Sequence, residues 1–105
     1  MTAISTHVLD TARGVPARGM AVALEAWEDG GWRTLATAET DDDGRASALG
    51  EAAAGPHRLV FATGAYLGDG GFFPEVAVAF EVCGEPKLHV PLLLAPHGYT
   101  TYRGS

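Results

Sequence analysis

The sequence has 105 residues, a length that suits one domain built around one hydrophobic core. Its formal net charge of −6, from 13 acidic and 7 basic residues, argues against nucleic-acid or anionic-membrane binding, because both need clustered cations. Cys83 is the only cysteine, which excludes an intrachain disulfide and a thiolate zinc site and favours a reducing compartment. No leader-like pattern opens the chain and no apolar run approaches about 18 residues, so we expect a cytoplasmic protein without membrane contact.

Apolar residues recur mainly at every second position, and Gly, Pro and Asp clusters separate the runs, as is typical of an all-β domain. Asp29-Gly30-Gly31 is a strong hairpin signal. The glycine-rich segment 64–71 favours at most one short helical turn. The pattern predicts eight short strands over residues 4–10, 20–28, 32–39, 45–49, 57–63, 76–82, 88–94 and 98–103. Strands at this regular spacing predict a sandwich of two sheets.

Four histidines are candidates for chemistry. His7 lies inside the first predicted strand, and His89 interrupts an otherwise apolar run, where a buried imidazole needs a hydrogen-bond partner. A lone strand histidine is more often structural than catalytic, but two such interruptions favour a site modestly. His57 and His97 each follow a proline and are interpreted as turn residues.

The other motifs in the sequence give weaker evidence of a functional site. Arg45 follows a triple-aspartate turn, Asp41 to Gly44, and pairing with those aspartates would explain it. The turn lacks the spacing of a calcium loop, and no two histidines stand at a ligand-pair spacing, so we expect no metal. A Ser-His-Asp triad has no nucleophile-elbow pattern to support it. The ending Tyr102-Arg103-Gly104-Ser105 combines a phenol, a guanidinium and a hydroxyl, which favours a site over a fraying tail.

Several segments, in order along the whole chain, resemble those of the 5-hydroxyisourate hydrolases, the transthyretin-related enzymes of urate breakdown in purine metabolism. They are residues 5–11, 43–45, 72–76, 89–94 and 98–105. The terminal Tyr-Arg-Gly-Ser is the most specific of them, because hormone-carrying transthyretins share the fold but lack that ending and the matching histidines. The resemblance implies a single transthyretin-like β-sandwich domain over residues 1–105, with two four-stranded sheets and one short helical turn.

The resemblance also implies a set of site residues. It assigns catalysis to His7, Arg45, His89 and Ser105, and substrate binding to His7, Arg45, Tyr102 and Arg103. It implies no metal and no organic cofactor, and it implies a homotetramer, a dimer of dimers, with sites in a channel between subunits. Family members commonly carry His-Tyr-His where this chain has Lys87-Leu88-His89, and an aromatic residue at the position of His97.

The implied reaction is the hydrolysis of 5-hydroxyisourate to 2-oxo-4-hydroxy-4-carboxy-5-ureidoimidazoline. Opening the cyclic amide needs an activated water, a place for negative charge on the carbonyl oxygen, and a proton for the leaving nitrogen. Imidazoles that titrate near neutral pH move such protons, and the guanidinium of Arg45 suits adjacent carbonyls or a developing oxyanion. The residues leave open which of His7 and His89 is base or acid, and whether Ser105 acts by hydroxyl or carboxylate.

Two other functions compete with the hydrolase. One is a transthyretin-like protein that binds a small aromatic ligand without catalysis. The other is a plain sandwich interaction module in which the histidines are incidental. The joint presence of His7, Arg45, His89 and Tyr102 favours the enzyme, since a carrier needs apolar walls rather than proton-transfer groups.

Overall fold

The computed structural model describes residues 1–104, and of Ala48 it describes only the backbone. Residues 1–104 contain ten strand segments and one short helix with a following 3-10 turn. The strands are β1 (Thr2–Asp10), β2 (Val15–Pro16), β3 (Ala21–Glu28), β4 (Gly31–Glu39), β5 (Arg45–Ala52), β6 (Gly55–Phe61), β7 (Val76–Val82), β8 (Lys87–His89), β9 (Leu92–Ala95) and β10 (Gly98–Thr101). The helix α1 (Thr63–Leu67) and the 3-10 turn (Gly68–Gly70) fall in the predicted glycine-rich segment. None of the helices described within residues 1–104 is long and apolar enough to span a bilayer.

Two sheets form the predicted sandwich. One runs in the order β4, β3, β6, β7. In the other, β1 pairs with β5 and β2 on one side and with β8 and β9 on the other, and β10 pairs with β9. Six strand segments therefore occupy four positions across this second sheet, and each sheet is in effect four-stranded.

The predicted strand 88–94 is interrupted. β8 and β9 both run parallel to β1 with the same offset, since His89 lies opposite Ser5 and Leu92 lies opposite Val8. Val90 still donates its backbone N–H to the Ser5 carbonyl oxygen at 3.0 Å, but Pro91 has no N–H to donate. The run is thus one strand broken at proline. The predicted last strand also ends early, at Thr101, and Gly104 alone bridges back to His89.

The core lies between the sheets and is filled from both. Side chains of β1, β3, β6 and β9 alternate into it, and those fully buried include Ile4, Val8, Leu24, Leu59, Phe61, Leu92 and Leu94. Burying such aliphatic and aromatic side chains contributes roughly 1.5–3 kcal/mol each. In the β3–β4 hairpin, Asp29 and Gly30 both have positive φ, 52° and 80°, as a type I′ turn requires, so this predicted hairpin is confirmed.

Candidate active site

The strand β1 carries the first site residue. Its even-numbered residues from Thr2 to Asp10 are buried against the core, so Ser5 and His7, which are half-buried, point to the outward face of the sheet. His7 lies directly opposite Arg45 of β5, and Ser5 lies opposite His89 of β8. Ser5 and His7 are successive residues on the outward face of β1. Their pairings with His89 and Arg45 therefore place the predicted His7, Arg45 and His89 on one face of the sheet.

The triple-aspartate turn places Arg45. The Asp41 carboxylate accepts the backbone N–H of Asp43 at 2.9 Å and that of Arg45 at 3.0 Å. The Arg45 hydrogen bond is the main reason that the pKa of Asp41 lies below its usual value. The aspartates thus engage the backbone of Arg45, and no ion pair between its guanidinium and a carboxylate occurs among residues 1–104.

The same turn orients His7. Gly44 packs so closely on β1 that a Cβ atom there would lie 2.4 Å from the Val8 carbonyl oxygen, and its φ of +76° also favours glycine. The turn is therefore held against β1, and the Asp43 carbonyl oxygen lies 2.9 Å from His7 Nε2. A carbonyl oxygen only accepts, so Nε2 carries the hydrogen and Nδ1 of neutral His7 is left as an acceptor.

His89 is held on two sides. Its Nδ1 shares a 2.9 Å hydrogen bond with Ser5 Oγ. On the other side Gly104 donates its backbone N–H to the His89 carbonyl oxygen at 2.8 Å, and a Cβ atom at position 104 would lie only 2.6 Å from His89 Cδ2. Gly104 is therefore the residue that lets the tail pass beside the imidazole.

The electrostatic setting of His89 favours its neutral form. Burial lowers its pKa below the usual 6.5, and Coulomb interactions with His7 and Arg45 lower that pKa further. An imidazole that stays neutral at pH 7 is able to accept a proton. The pairing of β1 with β5 and β8 places His7, Arg45 and His89 in one cluster on the outward face of the sheet.

A small pocket adjoins this cluster. It measures about 200 Å³, and its lining residues are Ser5, Arg45, Lys87, Leu88, His89 and Gly104. Drug-sized ligands usually occupy about 300–1,000 Å³, so this pocket suits a smaller molecule. Most of its lining side chains are polar or charged, so the walls differ from those of an apolar carrier site.

Tyr102 and Arg103 lie elsewhere in the single chain. Both line a second cavity, beside Phe80 of β7 and Leu88 of β8. Tyr102 is exposed, and Arg103 Nη2 lies 3.8 Å from a carboxylate oxygen of Glu85. Within one chain the structure therefore does not bring these two residues into the pocket beside His89. Ser105 lies outside the described residues.

The remaining histidines lie apart from this pocket. His57 is buried in β6, where its Nδ1 lies 3.0 Å from the Gly55 carbonyl oxygen and its ring stacks on Phe80. It is thus a structural strand residue rather than the expected turn residue. His97 is exposed in the turn between β9 and β10, as expected. No three His, Cys, Asp or Glu side chains within the part of the chain described could together hold a metal ion.

Ser5, Lys87 and Leu88 line the pocket but were not among the predicted site residues. Ser5 stands two positions before His7, and this strand spacing could have placed it on the same face. Lys87 likewise stands two positions before His89, so the same strand spacing could have placed it on the face of His89. The close approach of Gly104 to the imidazole depends on how the chain returns after β10, and no local sequence signal indicates it.

A sandwich of two four-stranded sheets with a polar cluster on one outward face has the architecture of the transthyretin-like proteins. The HIUase/Transthyretin family matches residues 4–104, and the chain belongs to this family. The 5-hydroxyisourate hydrolase of Salmonella dublin is 46% identical over 109 residues, which cover 97% of this chain and 80% of that protein. The 5-hydroxyisourate hydrolase of Mus musculus is 43% identical, covering 97% of this chain and 94% of that protein.

Solved structures from both branches of the family resemble the chain. Klebsiella pneumoniae 5-hydroxyisourate hydrolase superposes with a TM-score of 0.87 at 37% identity and covers 100% of both chains. Sea bream transthyretin in complex with thyroxine superposes with a TM-score of 0.90 at 32% identity, over 97% of this chain and 94% of that one. Because hydrolases and a thyroxine-binding protein share the fold, the side chains of the site must distinguish the two functions.

Proposed function

We propose that this protein hydrolyses 5-hydroxyisourate to 2-oxo-4-hydroxy-4-carboxy-5-ureidoimidazoline, as a cytoplasmic enzyme of urate degradation. The observation that carries the proposal is the convergence of His7, Arg45 and His89 on one face of the sheet, beside a small polar pocket. Full-length similarity to proteins named 5-hydroxyisourate hydrolase, at 46% and 43% identity, supports the choice of substrate.

His89 acts as the general base in this proposal. Its lowered pKa keeps it neutral at pH 7, and in the proposed tautomer Nδ1–H donates to Ser5 Oγ, so Nε2 is the nitrogen that takes a proton from water. The water oxygen bonds to the substrate carbonyl carbon, and electron density moves to the carbonyl oxygen. When the carbonyl re-forms, the ring C–N bond breaks, and the proton held by His89 passes to the leaving nitrogen.

Arg45 and His7 prepare and stabilise that step. Arg45 enters into no described ion pair, and its guanidinium donates hydrogen bonds to the substrate carbonyls and to the developing oxyanion. The Asp43 carbonyl oxygen fixes Nε2 of His7 as a donor, so Nδ1 accepts a hydrogen bond from the attacking water or a substrate hydroxyl. No metal ion or organic cofactor enters this scheme.

The tail completes the site between subunits. We propose a homotetramer, a dimer of dimers, in which Tyr102 and Arg103 bind substrate and Ser105 contributes to catalysis. Two features support this assembly: β7 and β10 are edge strands of their sheets, and Tyr102 lines an apolar cavity near both. Edge strands present unpaired backbone groups that a second copy is able to pair with.

The carrier function is the alternative, and the pocket argues against it. A site for an aromatic ligand needs apolar walls, whereas this pocket presents Arg45, Lys87 and His89. A direct test is to generate 5-hydroxyisourate from urate with urate oxidase and follow its ultraviolet absorbance with and without the protein. We expect the protein to accelerate the decay. Decay at the spontaneous rate, with folded protein verified by circular dichroism, would favour the carrier.

A further inference from the structure

Lys87 lies at the same pocket as His89. In β8 an exposed Lys87 and a half-buried His89 flank the buried Leu88, so the two outer residues share the outward face of the sheet. Lys87 lies opposite Ala3 and His89 opposite Ser5, two positions apart along β1. Lys87 also lines the pocket together with Arg45.

The charge around Lys87 differs in sign from that of the whole protein. Lys87 is the only lysine of a chain whose net charge is −6, and no carboxylate is among the described lining residues of the pocket. Neither Lys87 nor Arg45 takes part in an ion pair within the part of the chain that the structure describes. The described lining residues therefore bring two cations and no carboxylate to the pocket, while the Asp41 carboxylate of the neighbouring turn interacts electrostatically with Arg45.

One carboxylate lies on the same row of the sheet. Glu51 flanks Ala3 from β5, while Lys87 flanks it from β8. Two strand spacings, about 9.6 Å, separate the two backbones. At that separation Glu51 reduces the potential at Lys87 without neutralising it, since screening at physiological ionic strength acts over about 8 Å.

We propose that Lys87 is a recognition residue that attracts and orients an anionic, purine-derived substrate at the mouth of the pocket. The proposal rests on the proposed hydrolase function. Lysine is suited to this role because its ammonium is a compact point charge on a flexible stem, and it stays protonated through neutral pH. Lys87 acts by Coulomb attraction before the chemical step, so it should influence kcat/KM through KM and leave kcat nearly unchanged.

The kinetic test compares Lys87→Gln, Lys87→Glu and Lys87→Arg with the unmodified protein at several ionic strengths. At low salt Lys87→Gln should lower kcat/KM roughly three- to tenfold, Lys87→Glu should lower it further, and Lys87→Arg should retain it. At about 1 M salt, where the Debye length is about 3 Å, the difference between Lys87→Gln and the unmodified protein should vanish. Arg33→Gln is the matched control, because Arg33 is an exposed cation on the other sheet, paired with Glu28.

A binding test separates this proposal from the hydrolase proposal. Acetylation of Lys87 by an N-hydroxysuccinimide ester is followed by mass spectrometry with and without urate, a stable purine anion, and the N-terminal amine serves as internal reference. We expect urate to slow acetylation of Lys87 selectively. Protection without any hydrolysis would overturn the hydrolase and keep the anion site. A different outcome would overturn the role of Lys87 alone. In that outcome the protein hydrolyses 5-hydroxyisourate, urate does not slow acetylation of Lys87, and the effect of Lys87→Gln on kcat/KM is absent or independent of salt.

Discussion

His89 is the half-buried histidine that hydrogen-bonds to the Ser5 hydroxyl and interacts electrostatically with His7 and Arg45. Burial first, and then the charges of His7 and Arg45, lower its pKa below 6.5. In the proposed tautomer Nδ1–H donates to the Ser5 hydroxyl oxygen, so a proton is gained or lost at Nε2. At the scale of single residues, the account therefore depends on an imidazole that is neutral and oriented at pH 7.

The titration of His89 tests this directly. Its imidazole should titrate below pH 6.5 by NMR, and removing one positive charge in Arg45→Gln should move the pKa back toward 6.5. Below pH 6.5 the unfolded chain binds this proton more readily than the folded one, so His89 makes the protein less stable as the pH falls. A folded-state pKa at or above 6.5 would contradict the assignment of His89 as the base.

Gly104 provides a second test at the residue scale. A Cβ atom there would lie 2.6 Å from His89 Cδ2, so Gly104→Ala must displace the imidazole or the tail. We expect kcat/KM to fall about 100-fold, because a misplacement of about 1 Å has that effect, while Tm changes little. His97→Ala is the control, since His97 is exposed in a turn. Full activity in Gly104→Ala would show that the tail does not position His89.

The turn before β5 acts at the scale of elements. Asp41 to Gly44 is a solvent-facing turn by composition, yet its Asp41 carboxylate holds the Arg45 backbone, and its Asp43 carbonyl oxygen holds His7. The register shift in the β1–β5 pairing lies between Ile4 and Thr6, next to the site. Such irregularities often re-aim side chains beside active sites.

Asp41→Ala tests the function of this turn. Losing the acceptor for two backbone N–H groups should loosen the start of β5, lower kcat/KM about tenfold and lower Tm by roughly 4 °C. Asp42→Ala is the matched control, because Asp42 makes only an exposed ion pair with Arg18. The measurements are steady-state kinetics and thermal unfolding by circular dichroism. Equal effects from the two substitutions would contradict a positioning role for Asp41.

Period-two burial and positive-φ turn residues are encoded within a few positions. The local sequence pattern was therefore sufficient to predict most of the strands and the Asp29-Gly30 turn. It was misleading at Pro91, because the apolar residues on both sides continue the strand pattern although the proline itself signals a break in the pairing. It also failed to indicate the side-chain environment of His57, which is buried against Phe80 rather than exposed in a turn.

The site was only partly predictable for a related reason. His7, Arg45 and His89 could be proposed from the family resemblance, and the strand pairing brings them together. Ser5 and Lys87 became apparent only when the neighbours across the sheet were known. Tyr102 and Arg103 line a different cavity of the single chain, so their proposed role depends on a second subunit.

For the whole molecule, the property to be tested is its proposed assembly into a tetramer. Sedimentation should give about 44 kDa, four times the 10.9 kDa of one chain. Ala79→Lys adds a charge to the exposed edge strand β7 and should dissociate the tetramer and reduce activity. Thr37→Lys adds the same charge to β4, the opposite edge of that sheet, and should leave both unchanged. A fully active monomer would contradict the placement of sites between subunits.

We propose that the cluster of His7, Arg45 and His89 carries out the hydrolysis of 5-hydroxyisourate. The most direct test follows the decay of freshly generated 5-hydroxyisourate with the unmodified protein and with the double variant His7→Ala, His89→Ala, both verified as folded. Losing a general base typically lowers the rate about 10²- to 10⁴-fold. We expect rapid decay with the unmodified protein and a rate close to the spontaneous one with the double variant. Equal acceleration by the two proteins would contradict it.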